Sequence, residues 1–366
     1  MEPTRENLTT LYQEKEYYRD AWLATLDREA ALTEKNEQLR RQNQQLLETA
    51  QGFQQRYEAI QNAFWWRVTK PLRRLTDALR ASPPPTEAPP PAEEPVPTPE
   101  EVIEFLPGHW QEGDTPEAEP LISILIPNRE HTEDLSACIE SIFARSSYRN
   151  FEIIIAENGS FTNTIFRYYE NVQRQWENVR VIRWEGPFNF SSINNFAARE
   201  ARGEYLLLLN NDTEVLSPHW LEELLFFARQ EDVGAVGALL CYGDGSIQHA
   251  GMSVTAEHPN RHIGRGESPD KPEFSRPRYV DAVTGACLML RRSLWEALGG
   301  LDETFEIAFN DVDLCMRARE MGCRSVFTPF ARLCHYESKS RQAEDTPEKL
   351  RHFLSEMRRF QIRWLT

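Results

Sequence analysis

From Pro120 onward, short apolar runs alternate with stretches whose apolar residues recur at helical spacing. The runs Leu121–Pro127, Phe151–Glu157, Val179–Trp184 and Tyr205–Leu209 each end in polar residues and read as buried strands. Between them, Thr132–Ser146, Thr162–Trp176 and Ser191–Ala201 read as helices. Strand–helix alternation of this kind predicts an α/β domain with a parallel, doubly wound sheet. A last helical period, Pro347–Leu365, puts Phe353, Met357, Phe360 and Trp364 on one face, which suits packing back on that domain.

The chain before Pro120 follows other rules. Residues 5–64 hold no proline and keep an apolar heptad, with Leu11, Tyr18, Leu32, Leu39, Leu46, Phe53 and Ile60 at the d position. Asn36 and Asn43 fall at a positions between leucines, a pattern that predicts a parallel homodimeric coiled coil. Residues 65–81 continue as an aromatic and basic segment. Phe64, Trp65 and Trp66 with Arg67, Lys70, Arg73 and Arg74 suit an anionic membrane surface over residues 64–75, and equally a protein interface. Residues 82–117 form a linker whose first part, 82–99, is half proline and reads as an extended spacer. The expected organisation is therefore coiled coil (5–64), amphipathic segment (65–81), linker (82–117), α/β domain (118–341) and C-terminal helix (342–366).

Charge and cysteine usage narrow the function. A net charge of -16 excludes a general nucleic-acid coat, which needs a basic footprint. No run of about 18 apolar residues spans a membrane, and the N-terminus has no signal core. The six cysteines are dispersed, as in a reducing compartment. A cytoplasmic location is expected, peripheral on the inner face of a membrane if residues 64–75 bind it. A zinc site from Cys323, Cys334 and His335 lacks the usual paired ligand spacing.

The chemistry concentrates where strands stop. Tyr205–Leu209 runs into Asn210-Asn211-Asp212, an oxygen-rich turn fit for Mg²⁺ or Mn²⁺ bearing phosphate. Leu121–Pro127 runs into Asn128-Arg129-Glu130, and Phe151–Glu157 into Asn158-Gly159. In a parallel sheet these ends share one edge, where ligands bind. An Asx-rich turn after a strand is the purely structural alternative for each.

The stretches LISILIPNRE, FEIIIAENGS, FNFSSINNFAAREARGEYLLLLNNDTEV, VTGACLMLRR, GGLDETFEIAFNDVDLCMRARE and VFTPFARLCHYES resemble, in order, an inverting family 2 glycosyltransferase of the GT-A fold. The branch they resemble most acts on bacterial surface polysaccharides and is rhamnosyltransferase-like. The resemblance implies a nucleotide-diphosphate-sugar donor, a divalent metal (Mn²⁺ or Mg²⁺), and a glycan or lipid-linked glycan acceptor.

It also implies roles. Asp212 holds the metal, with His335 completing the site, and Asn210 replaces the first acid of the family's D-x-D. Asn128, Glu130, Glu157, Asn158, Asn194, Asn195 and Asn211 face the donor. Thr284, Gly285 and Ala286 lie on the acceptor side. Asp311 is the general base, in preference to Asp313; a helix cap is the structural role either one fits. An ionised Glu157 suits the N3–H or ribose of a UDP- or dTDP-type donor. Trp220, Trp295 and Phe305 suit either sugar stacking or core. Residues 242–278, rich in Gly, Pro and His, are expected to form an acceptor loop that orders on donor binding. The competing reading is a catalytically weak scaffold acting through its coiled coil, for which Asn210 leaves room. A nucleotidyltransferase would need a glycine-rich phosphate loop that LISILIPNRE lacks.

Overall fold

The computed structural model describes residues 104–111, 113–114, 119–336 and 347–365. The predicted coiled coil, aromatic–basic segment and proline-rich spacer lie outside the described residues.

The chain runs β1 (Ile122–Asn128), α1 (Thr132–Arg145), β2 (Phe151–Glu157), α2 (Asn163–Gln175), β3 (Val179–Arg183), α3 (Phe190–Glu200), β4 (Tyr205–Leu209), β5 (Thr213–Val215) and α4 (Trp220–Ala228). It continues through β6 (Val233–Cys241), β7 (Ile247–His249), β8 (Met252–Ser253), β9 (Arg261–His262), β10 (Arg278–Val280) and β11 (Cys287–Arg291). Last come α5 (Arg292–Leu298), α6 (Asn310–Glu320), β12 (Arg324–His335) and α7 (Pro347–Trp364).

The main sheet has the order β10-β12-β6-β11-β4-β1-β2-β3. Its β3-β2-β1-β4 half is parallel, as the alternation predicts. The other half is not. β11 is antiparallel to both β4 and β6, so the sheet is mixed rather than doubly wound and parallel throughout. The cause is topological: after β6 the chain makes its excursion through β7–β10 and returns into the sheet from the carboxyl edge, which inverts β11. Because β6 is antiparallel to β11 and β12 parallel to β6, both run in the sense of β4. The carboxyl ends of β1, β2, β4 and β12 and the amino end of β11 therefore share one edge.

Both faces of the sheet are covered, which is why its strands read as continuous apolar runs. In β1, Ile122, Ile124 and Ile126 pack on one side with Leu135 and Ile139 of α1 and Leu221 and Leu224 of α4. Leu125 faces the other side, with Ile193 and Ala197 of α3, Phe309, and Phe360 of α7. The C-terminal helix packs back as its apolar stripe predicts. Residues 242–278 fold onto a third apolar cluster that includes Ile247 and Phe274, with short strands inside the stretch that periodicity left as loop. Trp220, Trp295 and Phe305 are buried core residues, so none stacks on a sugar. Among the described residues no helix is long and apolar enough to cross a membrane.

Candidate active site

The loops after β1 and β2 interlock into one rigid ledge. Asn128 donates through Nδ2 to the Glu130 carbonyl (2.9 Å) and to the Tyr169 hydroxyl (2.8 Å), while its Oδ1 accepts from Asn211 Nδ2 (2.6 Å). Tyr169 in turn donates to Glu157 Oε2 at 2.6 Å, and burial pushes its phenol pKa up. Glu157 is 2% exposed, and its other contacts are the Ser160 N–H (2.5 Å) and Ser160 hydroxyl (2.7 Å). Its carboxylate is thus engaged by the protein's own loop. Glu130 is engaged likewise: it accepts from the Phe161 and Thr162 N–H groups and the Thr162 hydroxyl. Burial alone raises the Glu130 carboxyl, but those three donors outweigh it and hold it below the ordinary value. The chain bends here through left-handed backbone at Glu130 (φ 57°), His131 (φ 45°) and Gly159 (φ 68°). The first two are strained conformations for residues with a Cβ, of the kind that persists where surrounding bonds over-determine it.

The turn after β4 carries Asn210, Asn211 and Asp212. Asp212 is 4% exposed and His335 7%. Pairing of β5 with the end of β12 sets Thr213 opposite His335, and the Tyr336 N–H donates to the Asp212 carbonyl at 3.0 Å. His335 Nδ1 meets Gln248 Oε1 at 2.6 Å, which leaves Nε2 as the lone-pair nitrogen. That nitrogen lies 3.2 Å from Asn210 Nδ2 and 3.1 Å from Asp212 Oδ1. Asp212 Oδ1 is buried without a hydrogen-bond donor. Two acceptors facing across 3.1 Å call for a cation or a shared proton between them. Burial by itself pushes the Asp212 carboxyl up, but a proton shared with His335 Nε2 outweighs it and holds it below the usual range; a cation can take that proton's place. These residues fit a divalent metal. Among the described residues no three His, Cys, Asp or Glu side chains converge on one point, so Cys323, Cys334 and His335 form no zinc site. A metal at Asp212 and His335 has room for phosphate and water in its remaining positions. A cavity of about 310 Å³ opens beside Asp212, lined also by Glu133, Asp134, Glu214 and Tyr336.

Thr284, Gly285 and Ala286, expected on the acceptor side, lead into the inverted β11. The Gly285 N–H donates to Asp311 Oδ2 at 2.8 Å, and the next residue, Ala286, accepts the Asn210 N–H at 3.0 Å. Two adjacent residues thus tie the Asp311 carboxylate to the Asp212 turn. Asp311 sits at the amino end of α6, where its Oδ1 accepts the Val312 N–H (2.8 Å). Asp313 has a different environment: fully buried, it is bound by Arg317 Nε (2.7 Å), Arg363 Nη1 (2.9 Å) and Trp364 Nε1 (3.0 Å). Thr284 donates its N–H toward His249 Nε2 (3.4 Å), and burial holds His249 neutral, its pKa well below 6.5.

Asn194 and Asn195 sit on α3, away from any open surface. Asn194 donates to the Phe190 carbonyl (2.8 Å). Asn195 brackets Leu301, accepting its N–H (2.8 Å) and donating to its carbonyl (2.9 Å). Both hold the backbone around the site. Tyr169, Gln248 and His249 were missed by sequence reasoning; the one available signal was the Gln-His pair inside the glycine-flanked run GSIQHAG.

Residues 123–298 match the family model described as Glycosyl transferase family 2, so the chain carries a domain of that family. The chain is 41% identical over 263 residues to an uncharacterized protein of Sinorhizobium fredii, covering 68% of this chain and 28% of that one. It is 39% identical over 238 residues to an O-antigen biosynthesis protein of Myxococcus xanthus, covering 63% and 18%. With the N-acetylglucosaminyl-diphospho-decaprenol L-rhamnosyltransferase of Mycobacterium tuberculosis it shares 24% identity over 248 residues, covering 60% and 76%. The chain spans less than a third of the first two relatives. The crystal structure of GalNAc-T7 with UDP, GalNAc and Mn²⁺ superposes with a TM-score of 0.53 at 16% identity, over 65% of this chain and 48% of that one. That likeness concerns the fold, which is GT-A-like.

Proposed function

We propose that this chain is a metal-dependent, inverting glycosyltransferase. In this reading it moves a sugar from a nucleotide-diphosphate donor to a hydroxyl of a glycan or lipid-linked glycan in bacterial surface-polysaccharide synthesis. The observation that carries the proposal is the bridge Gly285-Ala286, which ties the Asp311 carboxylate to the turn bearing Asp212. A base for the acceptor and a metal carboxylate for the donor thus stand on one edge of one sheet.

Asp212 and His335 hold the metal, Mn²⁺ or Mg²⁺, and Gln248 fixes the imidazole tautomer. When bound, the metal neutralises charge developing on the leaving diphosphate. The ledge of Asn128, Asn158 and Asn211 receives the nucleoside. Glu130 and Glu157 act on it from behind, by locking the 158–162 loop in shape. Asp311 takes the proton from the acceptor hydroxyl as its oxygen bonds to the anomeric carbon and the bond to the diphosphate breaks. Attack opposite the leaving group inverts that carbon. Thr284, Gly285 and Ala286 floor the acceptor side, where Gly285 has no Cβ to crowd the base. Asn210, a neutral residue, orients the imidazole and leaves one negative charge fewer at the metal.

The relatives' names support surface glycan as the acceptor class and the GT-A likeness supports a UDP-type donor, with dTDP the next to test. The wider assembly belongs to the same proposal: a parallel homodimer through residues 5–64, contact with anionic membrane through 64–75, and work at the cytoplasmic face.

Calorimetric titration of the full chain with UDP, dTDP and GDP, with and without Mn²⁺, tests the reading. Metal-dependent binding of one nucleotide, lost in Asp212→Ala, is expected. Binding of none of the three, or binding indifferent to both metal and Asp212, refutes it.

A further inference from the structure

We propose that the C-terminal helix α7 is a working part of the catalytic site: Glu356 is a positioning residue that sets the loop carrying Asp311. The inference rests on the reading of Asp311 as the base.

The helix grips the chain on both sides of that residue. On the amino-terminal side, the Glu356 carboxylate, 2% exposed, accepts the backbone N–H groups of Glu306, Ile307 (3.3 Å) and Ala308 (2.9 Å). Three successive amides on one carboxylate form an anion nest, with each bond strengthened by the charge. The His352 imidazole lies 3.3 Å from that carboxylate, one turn back on the same helix. On the carboxyl-terminal side, Arg363 and Trp364 bind Asp313 Oδ1 at 2.9 and 3.0 Å. Between the two grips, Phe309 holds a left-handed conformation (φ 63°) with its ring stacked on Phe360 (5.2 Å) and tilted against Phe353 (5.6 Å).

Phe309 is the residue from which α6 starts, so its backbone angle aims the Asn310-Asp311 pair. A residue with a Cβ holds that angle only when its surroundings impose it. Here α7 imposes it from three directions, and α3 completes the clamp: the Phe190 N–H donates to the Glu306 carbonyl at 2.7 Å. Asp311 itself is tethered across the site by a single bond, from Gly285. Its position is therefore set mainly by its own backbone, and that backbone is held by α7. The grips of α7 fall on residues 306–308 and on Asp313, not on Asp212, His335 or the ledge of Asn128. The helix serves the base and leaves the donor site alone.

The test uses the full chain with Glu356→Gln, which keeps the shape of the side chain and removes its charge. Amide hydrogen exchange at residues 306–308 should speed up locally. Misplacing a reacting group by about 1 Å costs on the order of 100-fold, so kcat should fall about 10-fold or more, while donor KM and nucleotide affinity stay within about 2-fold. Arg363→Gln, an exposed change that loosens the other grip, should lower kcat in the same pattern, and it decides the matter if Glu356→Gln does not fold. Unchanged exchange at 306–308, an unchanged kcat, or kcat and nucleotide affinity falling together would each overturn the proposal. Asp311→Asn separates the two levels. Full transfer activity in that variant removes the base, whereas exchange at 306–308 reads the clamp without any reaction.

Discussion

His335 Nε2 stands 3.1 Å from Asp212 Oδ1, with the opposite ring nitrogen bound to Gln248 Oε1 at 2.6 Å. The outer bond is what makes the inner contact useful, because it fixes which nitrogen carries the proton. Removing such a partner typically costs about 10–100-fold in metal affinity. Gln248→Ala should therefore weaken Mn²⁺ binding by about that factor although Gln248 touches no metal. Titration of the variant followed by the Mn²⁺ paramagnetic resonance signal checks this. Wild-type affinity would mean that the imidazole is not held for a metal.

Asp311 and Asp313, two residues apart, should separate cleanly in mutation. Asp311→Asn removes the acceptor of a proton and should cut transfer by about 10²–10⁴ while nucleotide affinity and melting temperature stay put. Asp313→Asn takes the charge from a fully buried carboxylate held by the part-exposed Arg317 and the exposed Arg363, and should cost about 1–3 kcal/mol of stability. Initial-rate kinetics beside thermal melts of both variants decide it. The reverse pattern would exchange their roles.

How far these assignments could be read from sequence depends on the reach of each interaction. Strands β1, β2 and β4 were legible because two-sided burial leaves uninterrupted apolar runs, and the polar residue ending each run marks the sheet edge; the edge strand β3, with Val179 alone fully buried, shows only in Val179, Val181 and Ile182. The resemblance singles out Asp212, Asp311 and His335, and the fold sets Asp212 beside His335 and links Asp311 to their turn. What polar residues at a strand end do there was not. Glu157 and Asn195 look like ligand residues in one dimension, yet their partners are Tyr169 and Ser160 in one case and Leu301 in the other. The inversion of β11 depends on where the chain re-enters the sheet, which no local pattern records. The bonds of Glu356 to amides about 50 positions upstream are invisible to any periodicity.

Glu152 ties the far end of the sheet and predicts an acid limb of stability. Its Oε1 accepts from the Ser123 hydroxyl (2.7 Å) and the Arg202 N–H (2.6 Å), and its Oε2 from Arg180 (3.1 Å). Burial pushes this carboxyl up, but the three donors and the charge of Arg180 outweigh it, so its folded pKa lies below the ordinary 4.5. A depressed carboxyl stabilises the fold above the unfolded value and loses that contribution as pH falls through the folded one. Glu152→Gln should thus cost about 1–3 kcal/mol near neutrality. The gap from wild type should close as pH drops below 4.5. Melts at a series of pH values test this, and a gap that stays constant into acid would show that the charge is not the source.

Gly300 tests the other brace of the catalytic loop. It adopts φ 78°, and a Cβ built there would lie 2.4 Å from Asn195 Oδ1. That oxygen cannot yield freely, because it accepts the Leu301 N–H at 2.8 Å while the same amide group donates to the Leu301 carbonyl at 2.9 Å. Alanine at this position therefore meets two costs: a left-handed backbone, about 1–3 kcal/mol, and a displaced hydrogen bond, about 1 kcal/mol. Gly300→Ala should lower stability by about 2–4 kcal/mol, a melting shift of several degrees in a domain of this size. Asn195→Ala removes the collision together with the clamp. In the double variant the alanine at 300 should cost only its backbone share, leaving a favourable coupling of about 1 kcal/mol or more between the two sites. Strict additivity of the two changes would mean that Asn195 does not brace this loop.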